Sequence, residues 1–216
     1  MNVNFQYSKT LAIEGAVLLL LGPIPVVGWI LAIIGVILLL KATKELSYYY
    51  QDESINKNTW TGLKYYIVAL VALAVGVGVG IASFATAGLF AGAPFTFAAG
   101  FVGGLIAIFA GLAVAFAFYL LAAVHLRKVY DTLAQKTGEA SFTTASTLLL
   151  IGAILTIIAI GVILIIISWI FIIIGLSSMK PKDYQPYTYP YGNGNSYTAP
   201  PTQPAPQTAT DQNSTA

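Results

Sequence analysis

The chain has 216 residues, 57% of them hydrophobic and 8% charged, with a formal charge of +2 and a mean hydropathy of +0.80. Soluble domains carry about 25% charged residues, so this is the composition of an integral membrane protein. The small, dispersed positive charge excludes a nucleic-acid footprint, and the absence of cysteine excludes disulfides, thiolate nucleophiles and Cys-ligated metals.

The first apolar run, Leu11 to Leu40, is interrupted only by Glu14. It exceeds the roughly 7–15 residues of a signal-peptide core and is expected to stay on the protein. As one helix it would measure roughly 45 Å against a hydrocarbon core of about 30 Å. Its middle reads GPIP. Proline breaks the helical ladder and drives the residue before it out of the α region, so Pro23 and Pro25 predict a turn. The run becomes a hairpin over about residues 5–46, with arms Phe5 to Leu21 and Val26 to Leu46.

The linker KATKELSYYYQDESINKNTW follows. Tyr48, Tyr49, Tyr50 and Trp60 are expected to form an aromatic belt at headgroup depth. Two segments then fit the bilayer directly, about 62–84 and about 97–123, and the helical spacing of Leu126, Val129, Tyr130 and Leu133 carries the second on to about 133 as an amphipathic extension. Small residues recur at four-residue spacing in both: Ala72, Gly76 and Gly80 in one, Gly103, Ala107, Gly111 and Ala115 in the other, with Gly100 and Gly104 beside them. In lipid such stripes let backbones approach closely. They predict packing of these two helices on each other, with a homo-oligomer seam as the alternative use of the same surface. Phe84, Phe90, Phe95, Phe97 and Phe101 crowd the loop between them.

The last apolar run, Leu148 to Leu176, lies within a segment of about 143–178 and is also too long for one crossing. An internal repeat relates it to the first run. Thr10 to Leu18 aligns with Thr147 to Leu155 at an offset of 137, and Trp29 to Gly35 aligns with Trp169 to Gly175 at an offset of 140. The three extra residues fall where a turn belongs, around Ala159 to Ile165, with Gly161 as the expected hinge.

With both runs folded as hairpins, Lys9, Lys41, Lys44, Lys57, Lys64, Arg127, Lys128, Lys136, Lys180 and Lys182 all fall on one side of the membrane. Cytoplasmic ends of spans collect Lys and Arg. The expectation is therefore an all-α integral membrane protein with a six-span domain over 1–182 and both termini cytoplasmic. Residues 183–216, rich in Tyr, Pro, Gln and Thr, lack the aliphatic surface to offset ordering entropy and are expected to be a disordered tail. Tyr184, Tyr187, Tyr189 and Tyr191 give it the character of a docking segment for a cytoplasmic partner.

No convergent set of titratable groups points to catalysis, and neither a cofactor nor a metal is expected. His125 is the single histidine and reads as an interfacial polar residue beside Arg127 and Lys128. Glu14 is the one acid well inside a span, about 7 Å deeper than Lys9, and is the candidate functional carboxylate.

The stretches GPIPVVGWILAIIGVILLLKATKEL, SYYYQDESI and LLLIGAILTIIAIGVILIIISWIFIIIGLSSM resemble the archaeal multi-pass membrane proteins grouped as domain of unknown function 996, over roughly residues 8 to 180. The resemblance implies a cell-membrane location and supplies no catalytic residue. Two functions stay open: a non-enzymatic scaffold that docks a partner through its tail, and a small-solute transporter or channel using Glu14 and the Gly-rich central helices.

Overall fold

The computed structural model describes residues 4–22, 24–89 and 94–181, and among these the protein is entirely helical. Pro23, Phe90 and the tail with its four tyrosines lie outside the described residues. Six α-helices follow one another: α1 (Phe5–Leu20), α2 (Gly28–Tyr50), α3 (Glu53–Leu89), α4 (Pro94–Thr137), α5 (Ala140–Leu155) and α6 (Ile160–Ser178), with a 3-10 turn, Thr156–Ile158, between the last two. Among the described residues, four segments are long and apolar enough to cross a membrane: Glu53–Leu89, Phe97–Thr137, Ala140–Ile158 and Ile160–Ser178.

Local chemistry sets the helix ends. Asn4 caps α1, its side-chain oxygen accepting from the Gln6 and Tyr7 amides at 3.1 and 3.3 Å. Gln51 ends α2 in the left-handed conformation, φ 53°, and the Asp52 amide then closes back on the Ser47 carbonyl at 2.9 Å. Asp52 in turn accepts the Ser54 amide at 3.0 Å and opens α3. Gly138, φ 74°, ends α4 with its amide on the Ala134 carbonyl at 2.8 Å.

Each helix packs on its neighbours in sequence, and α1 returns to α6, which closes a ring in chain order. The most intimate pairing is α3 on α4. A Cβ built on Gly76 would stand 2.6 Å from the Gly111 Cα and 3.0 Å from the Ala107 carbonyl oxygen. Further along, a Cβ on Gly100 would stand 2.7 Å from that of Ala87, while Gly80 and Gly104 each present the same 3.0 Å approach to the other's carbonyl oxygen. Only the missing side chains let these backbones meet.

α3 and α4 are longer than the sequence spans at both ends. Leu126, Val129, Tyr130 and Leu133 extend α4 as expected, but as part of a packed core: Leu133 is 1% exposed and Tyr130 stacks on Phe142 at 6.3 Å. That core gathers Leu46, Tyr50, Ile55, Phe142, Ile172 and Leu176 at the charged end of the helices. Toward the opposite end the side chains turn outward, as in Val75, Val79, Ile106 and Phe109, which suits helices whose solvent there is lipid.

Two details differ from the sequence reading. The second turn comes earlier than Gly161, at Ala159, whose φ is 62°. Gly161 is already inside α6, its backbone pressed against the Gly152 carbonyl and the Thr156 amide, so it is a glycine for lack of space and not for a left-handed turn. Tyr50 does not join the aromatic belt. It is 3% exposed and packs edge-on against Tyr49 at 5.0 Å, because successive helical residues point about 100° apart and this one points into the bundle. Tyr48 and Trp60 remain exposed.

The aligned glycines of the repeat make different contacts. Gly15 meets Gly35 across the first hairpin, whereas Gly152 meets Gly161 and Ile165, and Gly175 meets the Phe142 ring.

Candidate functional site

Three consecutive residues at the start of α1 tie the ring together. The Tyr7 hydroxyl accepts a hydrogen bond from Lys41 Nζ at 3.0 Å, and Ser8 Oγ donates to Glu45 Oε2 at 2.8 Å, both partners lying on α2. Lys9 reaches the other way. Its Nζ donates to the carbonyl oxygens of Ser177 and Met179, at 2.6 and 2.9 Å, on the end of α6. An ammonium at a helix C-terminus satisfies carbonyls that have no partner within the helix and opposes their partial negative charge. This clasp sets the level of α1 against both neighbours.

A second group of contacts joins the other helices at the same end. Ser146 of α5 donates to Asp131 Oδ1 of α4, and Arg127 Nε stands 3.3 Å from the other carboxylate oxygen. Lys136 Nζ stands 3.1 Å from Asp52 Oδ2, which joins the end of α4 to the α2–α3 corner. Hydrogen bonding from Ser54, and then Lys136, hold the Asp52 carboxyl below its ordinary value. Ser168 Oγ donates to the Ala145 carbonyl at 2.7 Å and binds α6 to α5. Beneath this layer the Tyr50 hydroxyl is buried without a hydrogen-bond partner, and burial pushes its pKa up to about 12.

The residues singled out from sequence are dispersed. Glu14 is exposed, on the face of α1 opposite the buried Ala12 and Ala16. His125 Nδ1 lies 2.9 Å from the Leu121 carbonyl oxygen one turn back, and its ring rests 5.3 Å from that of Tyr65. Gly76, Gly80, Gly100, Gly104 and Gly111 line the α3–α4 contact. Pro25 lies in the first turn. Among the described residues, no three His, Cys, Asp or Glu side chains come together in a group that could hold a metal ion.

Sequence reasoning missed the clasp. Ser8 and Glu45 are 37 residues apart and Lys9 and Ser177 are 168 apart, so no local pattern joins them. The available signal was the run Tyr7-Ser8-Lys9 in a first helical turn that is otherwise preparing to enter lipid.

The model of one family, Protein of unknown function (DUF996), matches residues 31–170. No curated protein and no solved structure matches the chain.

Proposed function

Since the chain belongs to the DUF996 family of proteins of unknown function, no activity comes with its membership, and we propose from its own residues that it is a non-enzymatic membrane scaffold. Six helices enter the bilayer as three hairpins from one face, both termini lie in the cytoplasm, and the Tyr/Pro-rich tail docks a cytoplasmic partner. The observation that carries this is the segregation of charge. Among the described residues all nine Lys and Arg lie on the linkers, or on the parts of the helices that adjoin them, at one side of the hairpins, and the sequence of the connections at the other side holds none, which is the bias that fixes cytoplasmic loops. The polar clasp belongs to the same side and gives the tail, which follows Pro181, a braced point of departure.

The test uses the cysteine-free background. Gln6→Cys and Pro181→Cys are treated in intact cells with a membrane-impermeant maleimide. Both should stay unlabelled until the membrane is permeabilised, and labelling of either in intact cells overturns the orientation. Deleting residues 184–216 should abolish recovery of a specific cross-linked partner, and unchanged recovery overturns the docking role. The transporter reading gains nothing from the geometry, because Glu14 faces away from the packed interior of the ring.

A further inference from the structure

We infer that the α1–α2 hairpin is re-entrant: it enters the bilayer, turns within the hydrocarbon and leaves by the same face, with lipid chains as the partner of its tip. The inference refines the topology proposed above and rests on it only for which face is entered.

The first observation is depth. Lys9 is held at the charged end by the α6 carbonyls, and the Tyr7–Lys41 bond fixes α2 against α1, so the hairpin cannot slide deeper as a unit without breaking the Lys9 contacts. From that level, Lys9 to the end of α1 and Lys41 to the start of α2 rise only about 17 and 20 Å at 1.5 Å per residue, against a hydrocarbon core of about 30 Å. α1 has 16 residues, and the last third of α2 holds Lys41, Lys44 and Glu45, so neither helix is among the four long and apolar enough to cross. The neighbouring central hairpin rises about 37 Å from Lys64 to Leu89 on the same reckoning. The first tip stops well below it.

The second observation is the chemistry of the tip. A turn that meets water leaves its amides to water and carries polar side chains. Here the amides of Leu21, Gly22, Ile24, Val27 and Gly28 bond to the carbonyls of Val17, Leu19, Leu21, Pro25 and Ile24 at 2.9–3.1 Å, and Pro23 and Pro25 have no amide proton to satisfy. The side chains it turns outward are Ile24, Val26, Val27 and Trp29, with Val26 85% and Trp29 74% exposed. Non-helical backbone survives in hydrocarbon only when its polar groups are satisfied internally, and this turn does so for five of the six amides it has between Leu21 and Gly28, with two prolines removing two more donors. Glu14 fits the same placement, since a shallow hairpin leaves its outward carboxylate within reach of the headgroups.

Trp29 is the natural reporter. With Trp60 and Trp169 replaced by Phe, its fluorescence in vesicles of dioleoyl phosphatidylcholine is quenched with lipids brominated at mid-chain or carrying a nitroxide at the headgroup. Stronger quenching from mid-chain is expected, and stronger quenching from the headgroup overturns the inference. In parallel, Ile24→Cys and Val27→Cys should resist an impermeant maleimide from both faces and react in detergent. Reaction from the face opposite Gln6→Cys shows a completed crossing and overturns the inference, while Gln6→Cys itself reports orientation separately.

Discussion

Gly76 of α3 and Gly111 of α4 are reciprocal: a Cβ placed on either would lie 2.6 Å from the Cα of the other. Since both obstacles are backbone, neither can step aside, and any side chain there must push the helices apart. Gly76→Ala and Gly111→Ala should each destabilise the protein by about 1–3 kcal/mol. The two losses should not add, because they report one contact. Gly78 and Gly103, whose Cβ positions meet nothing within 4 Å, are the controls on the same helices, and alanine there should stabilise by about 0.5–1 kcal/mol. Unfolding in detergent micelles reads all four.

Tyr50→Phe removes a buried hydroxyl that has no partner. Leaving such a group unsatisfied costs about 1–3 kcal/mol, so the variant should be more stable by about 1 kcal/mol or more. It should also change the alkaline limb. The folded pKa of Tyr50 is raised from 10.0 to about 12, so its contribution is complete below pH 10 and is lost as pH rises through about 12. A stability profile from pH 8 to 12 should fall less steeply in the variant than in the parent.

Much of the architecture was legible because hydrophobic length and proline chemistry are local properties. Pro25 and its neighbours announced the first turn, and the spacing of Val129, Tyr130 and Leu133 announced the extension of α4. The turn expected around Ala159 to Ile165 has its hinge at Ala159 and not at Gly161: Gly161 looked like the residue that frees a backbone, whereas Ala159 takes the positive φ and Gly161 is demanded by the Gly152 carbonyl beside it. Steric need for glycine and conformational need for glycine look identical in a sequence. The clasp was not legible at all, since Ser8, Glu45, Lys9 and Ser177 meet only once the ring has closed.

Lys9→Met keeps the apolar stem of the side chain and removes the donor to the Ser177 and Met179 carbonyls. A loss of about 1 kcal/mol is expected for a half-buried charge at a helix C-terminus. Lys9→Arg should retain most of it. Equal melting temperatures for Met and Arg would show that the charge contributes nothing.

Asp52 gives the protein an acid-sensitive corner. Because its folded pKa is lowered, by Ser54 first and by Lys136 second, its contribution is present above the ordinary value of 3.8 and is lost as pH falls through the lower folded value. Asp52→Asn should flatten stability below pH 4 relative to the parent, and Lys136→Met should do so partially. Identical acid limbs in parent and Asp52→Asn would assign the acid response to other carboxylates.

Gln51 closes α2 with φ 53°, a conformation that costs a side chain about 1–2 kcal/mol. Gln51→Gly relieves that cost and loses part of it to unfolded-chain entropy, for a net gain of about 0.5 kcal/mol. Gln51→Val should lose stability by more than that, and a rise in melting temperature for Val would contradict the assigned backbone.

The bond from Lys9 to the Ser177 and Met179 carbonyls sets the first and last helices side by side. The order of the helices around the ring therefore has no privileged starting point. A circular permutant that links residue 181 back to residue 4 through a short flexible joint and begins instead at Glu139, just past the Gly138 turn, keeps every neighbouring pair of helices while the chain is threaded from a different origin.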